Sequence, residues 1–120
     1  MRQKEVLRIT PYGGKVIFKM IRTVQTTKRA LKSLGKAPRY VVAKYAFWRA
    51  QVIENGLEVV QKIPSYHDEP LTGKLRGIRS IRLSDGYRAY YRITRDEIVC
   101  VVVEEVNKHD YKAIERLFGE

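Results

Sequence analysis

Two stretches decide how this chain folds: Gly86-Tyr87-Arg88-Ala89-Tyr90-Tyr91-Arg92 and Glu97-Ile98-Val99-Cys100-Val101-Val102-Val103-Glu104-Glu105. Both are dominated by β-branched and aromatic side chains, which suit a pleated, half-buried surface. The valine run is bounded by charge and is short, as a buried strand is. Ser84-Asp85-Gly86 and Arg95-Asp96 are hairpin-length links. Three consecutive antiparallel strands are therefore expected at about 75–84, 86–94 and 97–107. Along the middle strand, alternation puts Tyr87, Ala89, Tyr91 and Ile93 on one face and Arg88, Tyr90 and Arg92 on the other. Arginines are rarely buried without partners, so the second face is expected to be a solvated, basic concavity.

Outward from these strands the pattern turns helical. Towards the C-terminus the last strand runs into Lys108-His109-Asp110-Tyr111, and a helix is expected at 111–118. Towards the N-terminus lies a polar loop at 63–70 with two prolines. Before it, Val41, Tyr45, Trp48 and Val52 recur as one buried stripe of a helix over 38–53, stopped by Asn55-Gly56. Val24, Thr27, Leu31 and Leu34 share a spacing that predicts another helix over 23–34, with Gly35 as its C-cap and Pro38 opening the next. Lys15 to Ile21 reads as a strand. Val6-Leu7-Arg8-Ile9 forms a shorter one, joined to it through Pro11-Tyr12-Gly13-Gly14, so that residues 1–14 make an N-terminal hairpin extension. The order β-α-α-β-β-β-α gives an α+β fold: a mainly antiparallel sheet with helices on one face.

Size and composition bound the function. The 120 residues suit one domain with one core. No apolar run reaches the ~18–20 residues of a membrane span, and the opening Met1-Arg2-Gln3-Lys4-Glu5 leads into no signal-peptide core. A single cysteine, Cys100, excludes an internal disulfide. Together these favour the cytoplasm and no membrane. The net charge of +11 is uneven, because Lys74 to Arg95 carries seven basic groups against Asp85 alone. Such clustering attracts a polyanion or an acidic protein. No Cys/His/Asp cluster has metal-site spacing and no glycine-rich loop cradles phosphate, so neither metal nor cofactor is expected.

Proton-transfer groups close to guanidinium groups suit cleavage of a phosphodiester. Metal-independent RNA cleavage uses the 2′-OH as nucleophile. It needs a base for that proton, cations for the phosphorane charge and an acid for the 5′-oxygen. His109 can serve as base or acid near neutrality. Tyr111 can stack a base or donate a proton. Arg88, Arg82 and Lys74 can hold phosphate, arginine in bidentate fashion. Asp110 is equally suited to capping the last helix.

The run His67-Asp68-Glu69-Pro70-Leu71-Thr72-Gly73-Lys74-Leu75-Arg76-Gly77, then Ser80-Ile81-Arg82-Leu83, then Tyr87 to Arg92, resembles the RelE/ParE superfamily of toxins from toxin–antitoxin pairs. The ending Glu105-Val106-Asn107-Lys108-His109-Asp110-Tyr111 is similar to the HigB- and RelE-type members. The resemblance covers about residues 15–118, and the family's usual start is placed near the strand at 15–21. It implies a microbial RNase-like fold, inhibition by a cognate antitoxin and, in the RNase branch, cleavage of mRNA on the ribosome. The family's Tyr-Arg strand maps on Arg88, its C-terminal aromatic on Tyr111, and its acid/base position on His109 or Asp110. Lys74, Arg76, Arg79, Arg82, Arg92 and Lys108 are the candidate phosphate ligands. The alternatives are a ParE-like inhibitor that works by binding DNA gyrase, without chemistry of its own, and a non-catalytic RNA-binding relative.

Overall fold

The computed structural model describes residues 4–9, 15–95 and 97–105 of the chain. Its centre is a five-stranded sheet built on the three strands expected from the sequence: β5 (Ile78–Ser84), β6 (Tyr87–Thr94) and β7 (Glu97–Glu105). They pair antiparallel, with a register shift between Tyr90 and Tyr91 on the β6–β7 side. Two further strands flank them, β3 (Thr23–Thr26) and β4 (Glu69–Pro70), giving the order β3-β7-β6-β5-β4. β3 runs parallel to β7, so the sheet is mixed.

The N-terminal third departs from expectation. β1 (Lys4–Ile9) and β2 (Lys15–Met20) form an antiparallel hairpin, as the sequence implied, but it is a sheet of its own. The first strand of the main sheet is β3 instead, inside the segment expected to begin a helix. Thr23, Val24 and Thr26 are β-branched and favour extended backbone, and Val24 alone of the four is buried. Helix α1 (Lys28–Gly35) starts only after Thr27, whose extended backbone and Oγ1, accepting from the Ala30 amide at 3.0 Å, make it an N-cap. The helical spacing of Leu31 was misleading: Leu31 is 57% exposed, and Ala30 and Leu34 face the core.

Helix α2 (Arg39–Asn55) buries the expected stripe, Val41, Tyr45, Trp48 and Val52. Pro38 is its N-cap rather than a residue of its first turn. Trp48 sits between Tyr45 and Tyr91, with ring centroids 5.9 and 5.5 Å away. Gly56 ends the helix with φ +92°, where a Cβ would come within 2.7 Å of the Met20 side chain. Glycine is required there both for conformation and for space. A short helix, α3 (Leu57–Val60), and a 3-10 turn (Pro64–Tyr66) follow and bury Leu57, Val60 and Tyr66. These helices share one core with Ile81, Leu83, Ala89, Tyr91 and Ile98 of the sheet.

The opposite face is less open than parity suggested. Tyr90, expected in solvent, is buried in a second small cluster with Leu75 and Ile78, against which Leu71 packs. The 3-10 turn Gly73–Leu75 carries Leu75 into that cluster before β5 begins. Ile93, assigned to the core, is 41% exposed near the end of β6. The C-terminal helix expected at 111–118 lies outside the described residues, as does the side chain of Cys100.

Candidate active site

The site is built where β4, β5 and β6 lie side by side. Arg88 faces Arg82 across the β5–β6 ladder, and two like charges directly opposite repel. Each has its own partner. Arg82 pairs with Asp85 in the hairpin turn. Arg88 donates from Nη1 to the Oγ of buried Ser80 at 3.0 Å, and the same nitrogen lies 3.7 Å from Glu69 Oε1. Arg88 keeps 27% of its side chain in solvent and Glu69 58%, so the pair is reachable from outside. A half-sunk arginine pinned by a serine, beside an exposed carboxylate, is a preorganised cation next to a proton acceptor.

Glu69 is held there by its neighbour. Asp68, with 1% of its side chain exposed, accepts from Arg79 Nε at 2.6 Å and from the Tyr91 hydroxyl. Gln61 donates to the same tyrosine oxygen at 3.3 Å. Burial, together with the Asp68 charge and its hydrogen bond, pushes the Tyr91 phenol well above its ordinary range. For Arg79, burial opposes the charge but is outweighed by Asp68, and its pKa rises. This network ties the loop carrying Glu69 to the middle of the sheet. His67, just before it, is exposed and takes the left-handed conformation at φ 45°.

The other described sequence candidates fall in three places. Arg82 and Arg92 share the Arg88 face by register, Arg92 opposite Ile78. Lys74 and Arg76 are exposed on the turn ahead of β5. Arg79 has the opposite parity and is engaged by Asp68. Lys108, His109, Asp110 and Tyr111 lie outside the described residues. Glu69 was not among the sequence candidates. Its only sequence signal was its place in the quoted run, as a carboxylate before Pro70 in a stretch read as loop. Among the described residues no group of three His, Cys, Asp or Glu side chains is arranged to hold a metal, and no helix is long and apolar enough to cross a membrane.

Solved structures share this architecture. YafQ from E. coli strain BL21(DE3) superposes with a TM-score of 0.58 at 17% identity, over 70% of this chain and 92% of that one. The RelBE2 toxin–antitoxin complex from Mycobacterium tuberculosis gives 0.53 at 24% identity, over 69% and 95%. The archaeal RelE–RelB complex from Pyrococcus horikoshii OT3 gives 0.54 at 18%, over 75% and 100%. No curated protein matches the chain. The fold is thus that of the RelE/ParE superfamily toxins. The family model for the ParE toxin of the type II toxin–antitoxin system, parDE, matches residues 24–109, and the chain belongs to that family. The match begins in β3, and the β1–β2 hairpin precedes it.

Proposed function

We propose that this toxin is a metal-independent endoribonuclease that cuts mRNA on the ribosome, in the manner of the RelE- and HigB-type branch. The observation that carries the reading is the exposed Glu69–Arg88 pair, with Arg88 braced by Ser80. In this reaction Glu69 takes the proton of a 2′-OH. The 2′-oxygen then bonds to the adjacent phosphorus while the bond from phosphorus to the 5′-oxygen breaks. Arg88, with Arg82 and Arg92 on the same face, stabilises the negative phosphorane. His109, Asp110 and Tyr111 supply the acid for the leaving 5′-oxygen, and Lys74, Arg76 and Lys108 hold flanking phosphates. The products are a 2′,3′-cyclic phosphate and a 5′-hydroxyl. The partner is a cognate antitoxin, as in the RelBE2 and RelE–RelB complexes.

Glu69→Gln keeps the shape of the side chain and removes the base. Cleavage of mRNA by the purified variant on translating ribosomes, with EDTA present, is expected to fall at least ~10²-fold. Full activity of the variant would exclude Glu69 as base. A second reading is favoured by the family match itself: a ParE-like toxin that acts by binding DNA gyrase. It predicts loss of supercoiling at stoichiometric toxin, with mRNA left intact by wild type and Glu69→Gln alike.

A further inference from the structure

Arg22, between the hairpin and β3, braces the end of α2. Its Nη1 donates to the Ile53 carbonyl at 3.0 Å and to the Glu54 carbonyl, in the last turn of α2. This satisfies carbonyls that a helix end leaves free, at the negative end of its dipole. Its Nε is buried and has no hydrogen-bond partner among the described residues.

Arg22 lines a cleft of about 200 Å³ between β3 and α2, together with Thr23, Val24, Gln25, Arg49 and Ile53. Among the described residues two arginines and no acid line it, so it favours an anion. Arg49 is exposed, and neither arginine forms an ion pair among the described residues. The rest of the lining is partly apolar. Val42, Ala46, Arg49 and Ile53 follow at spacings of four, three and four, so they share one flank of α2. Val42, one of the exposed large apolar residues, extends that flank beyond the cleft.

We infer that this cleft binds a carboxylate side chain of an acidic, amphipathic peptide segment. The carboxylate pairs with the two cleft arginines, Arg22 and Arg49, while apolar side chains of the same segment lie along Val42 and Ala46. An RNA phosphate satisfies the charge but has no use for the apolar flank, and the phosphate-holding arginines of the proposed active site lie on β5 and β6 instead. The natural occupant is a segment of the antitoxin, so the identity of the partner rests on the reading above; the site itself does not.

The test is a titration of the whole chain, followed through the Arg22 Nε–H resonance in ¹H–¹⁵N spectra. The probes are a short blocked peptide of alternating leucine and glutamate, its leucine–glutamine counterpart, and a short single-stranded RNA. The glutamate peptide is expected to shift the Arg22 resonance and to bind at least tenfold more tightly than the glutamine peptide. Arg49→Glu is expected to weaken that binding at least tenfold. Lys62→Glu, the same charge change at an exposed residue outside the cleft, is expected to change it less than threefold. Equal binding of the two peptides, no response to Arg49→Glu, or tighter binding of the RNA at Arg22 would each overturn the inference. No cleavage is measured, so failure of the nuclease reading leaves this result standing.

Discussion

Replacing Asp68 with Ala removes the acceptor that Arg79 and Tyr91 share. Asp68 has 1% of its side chain exposed, so the vacated position is out of reach of bulk water. Breaking a buried ion pair by deleting one partner costs about 3–5 kcal/mol. Arg79, however, keeps 28% of its side chain in solvent and can turn part of its guanidinium to water. That screening lowers the expected loss to about 2–3 kcal/mol. The Tyr91 hydroxyl, fully buried, retains only the long contact from Gln61. Urea unfolding monitored by Trp48 fluorescence should show the midpoint falling with an unchanged m-value. For a domain of this size the melting temperature should fall by roughly 10 °C. A double-mutant cycle with Tyr91→Phe should return a coupling of about 1 kcal/mol. Below the melting temperature Asp68→Ala should also lose cleavage activity, because the loop presenting Glu69 to Arg88 is no longer tied to the sheet. A stability change under ~0.5 kcal/mol would refute the reasoning, since a buried shared acceptor cannot be that cheap to remove.

Thr27→Ala removes the cap of α1 and should cost about 1 kcal/mol in the same assay, with Thr27→Ser close to wild type. The raised phenol of Tyr91 sets an alkaline limit. Its proton is held more tightly in the folded chain, so its contribution is complete below the ordinary pKa of 10 and is lost as pH rises beyond it. The burial that raises Tyr66 acts in the same direction. Unfolding midpoints should fall steadily above about pH 10, and Tyr91→Phe should make that decline shallower while being less stable at pH 7. An unchanged slope in Tyr91→Phe would exclude Tyr91 as its source.

The parts of the fold that local pattern dictates were legible. Val41, Tyr45, Trp48 and Val52 repeat one stripe over three turns, and the β5–β6–β7 run combines β-branched residues with hairpin-length links. Thr23–Thr26 was not legible, because four residues carry too little periodicity to distinguish a strand from the first turn of the helix that follows. Its pairing with β7 joins residues more than seventy positions apart, which no local spacing encodes. The burial of Tyr90 depends on Leu75 arriving from a turn outside the strand. Glu69 was missed for a related reason. β4 is two residues long and includes a proline, so it reads as loop, and only the sheet brings the carboxylate beside Arg88. Arg88 itself was legible from parity, as a charged residue on the face opposite Ala89 and Tyr91.

The central claim is that Arg88 stabilises charge during RNA cleavage, and one comparison tests it most directly. Wild-type protein and Arg88→Ala are assayed on mRNA with translating ribosomes in EDTA, and on gyrase supercoiling, with thermal melting of both. Arg88 also satisfies the buried Ser80 hydroxyl, so the variant should lose about 1 kcal/mol of stability yet remain folded. The account predicts that cleavage falls at least ~10²-fold while supercoiling is untouched by either protein. A folded Arg88→Ala that cleaves mRNA as wild type does, or a wild-type protein that leaves mRNA intact and blocks gyrase, would contradict it.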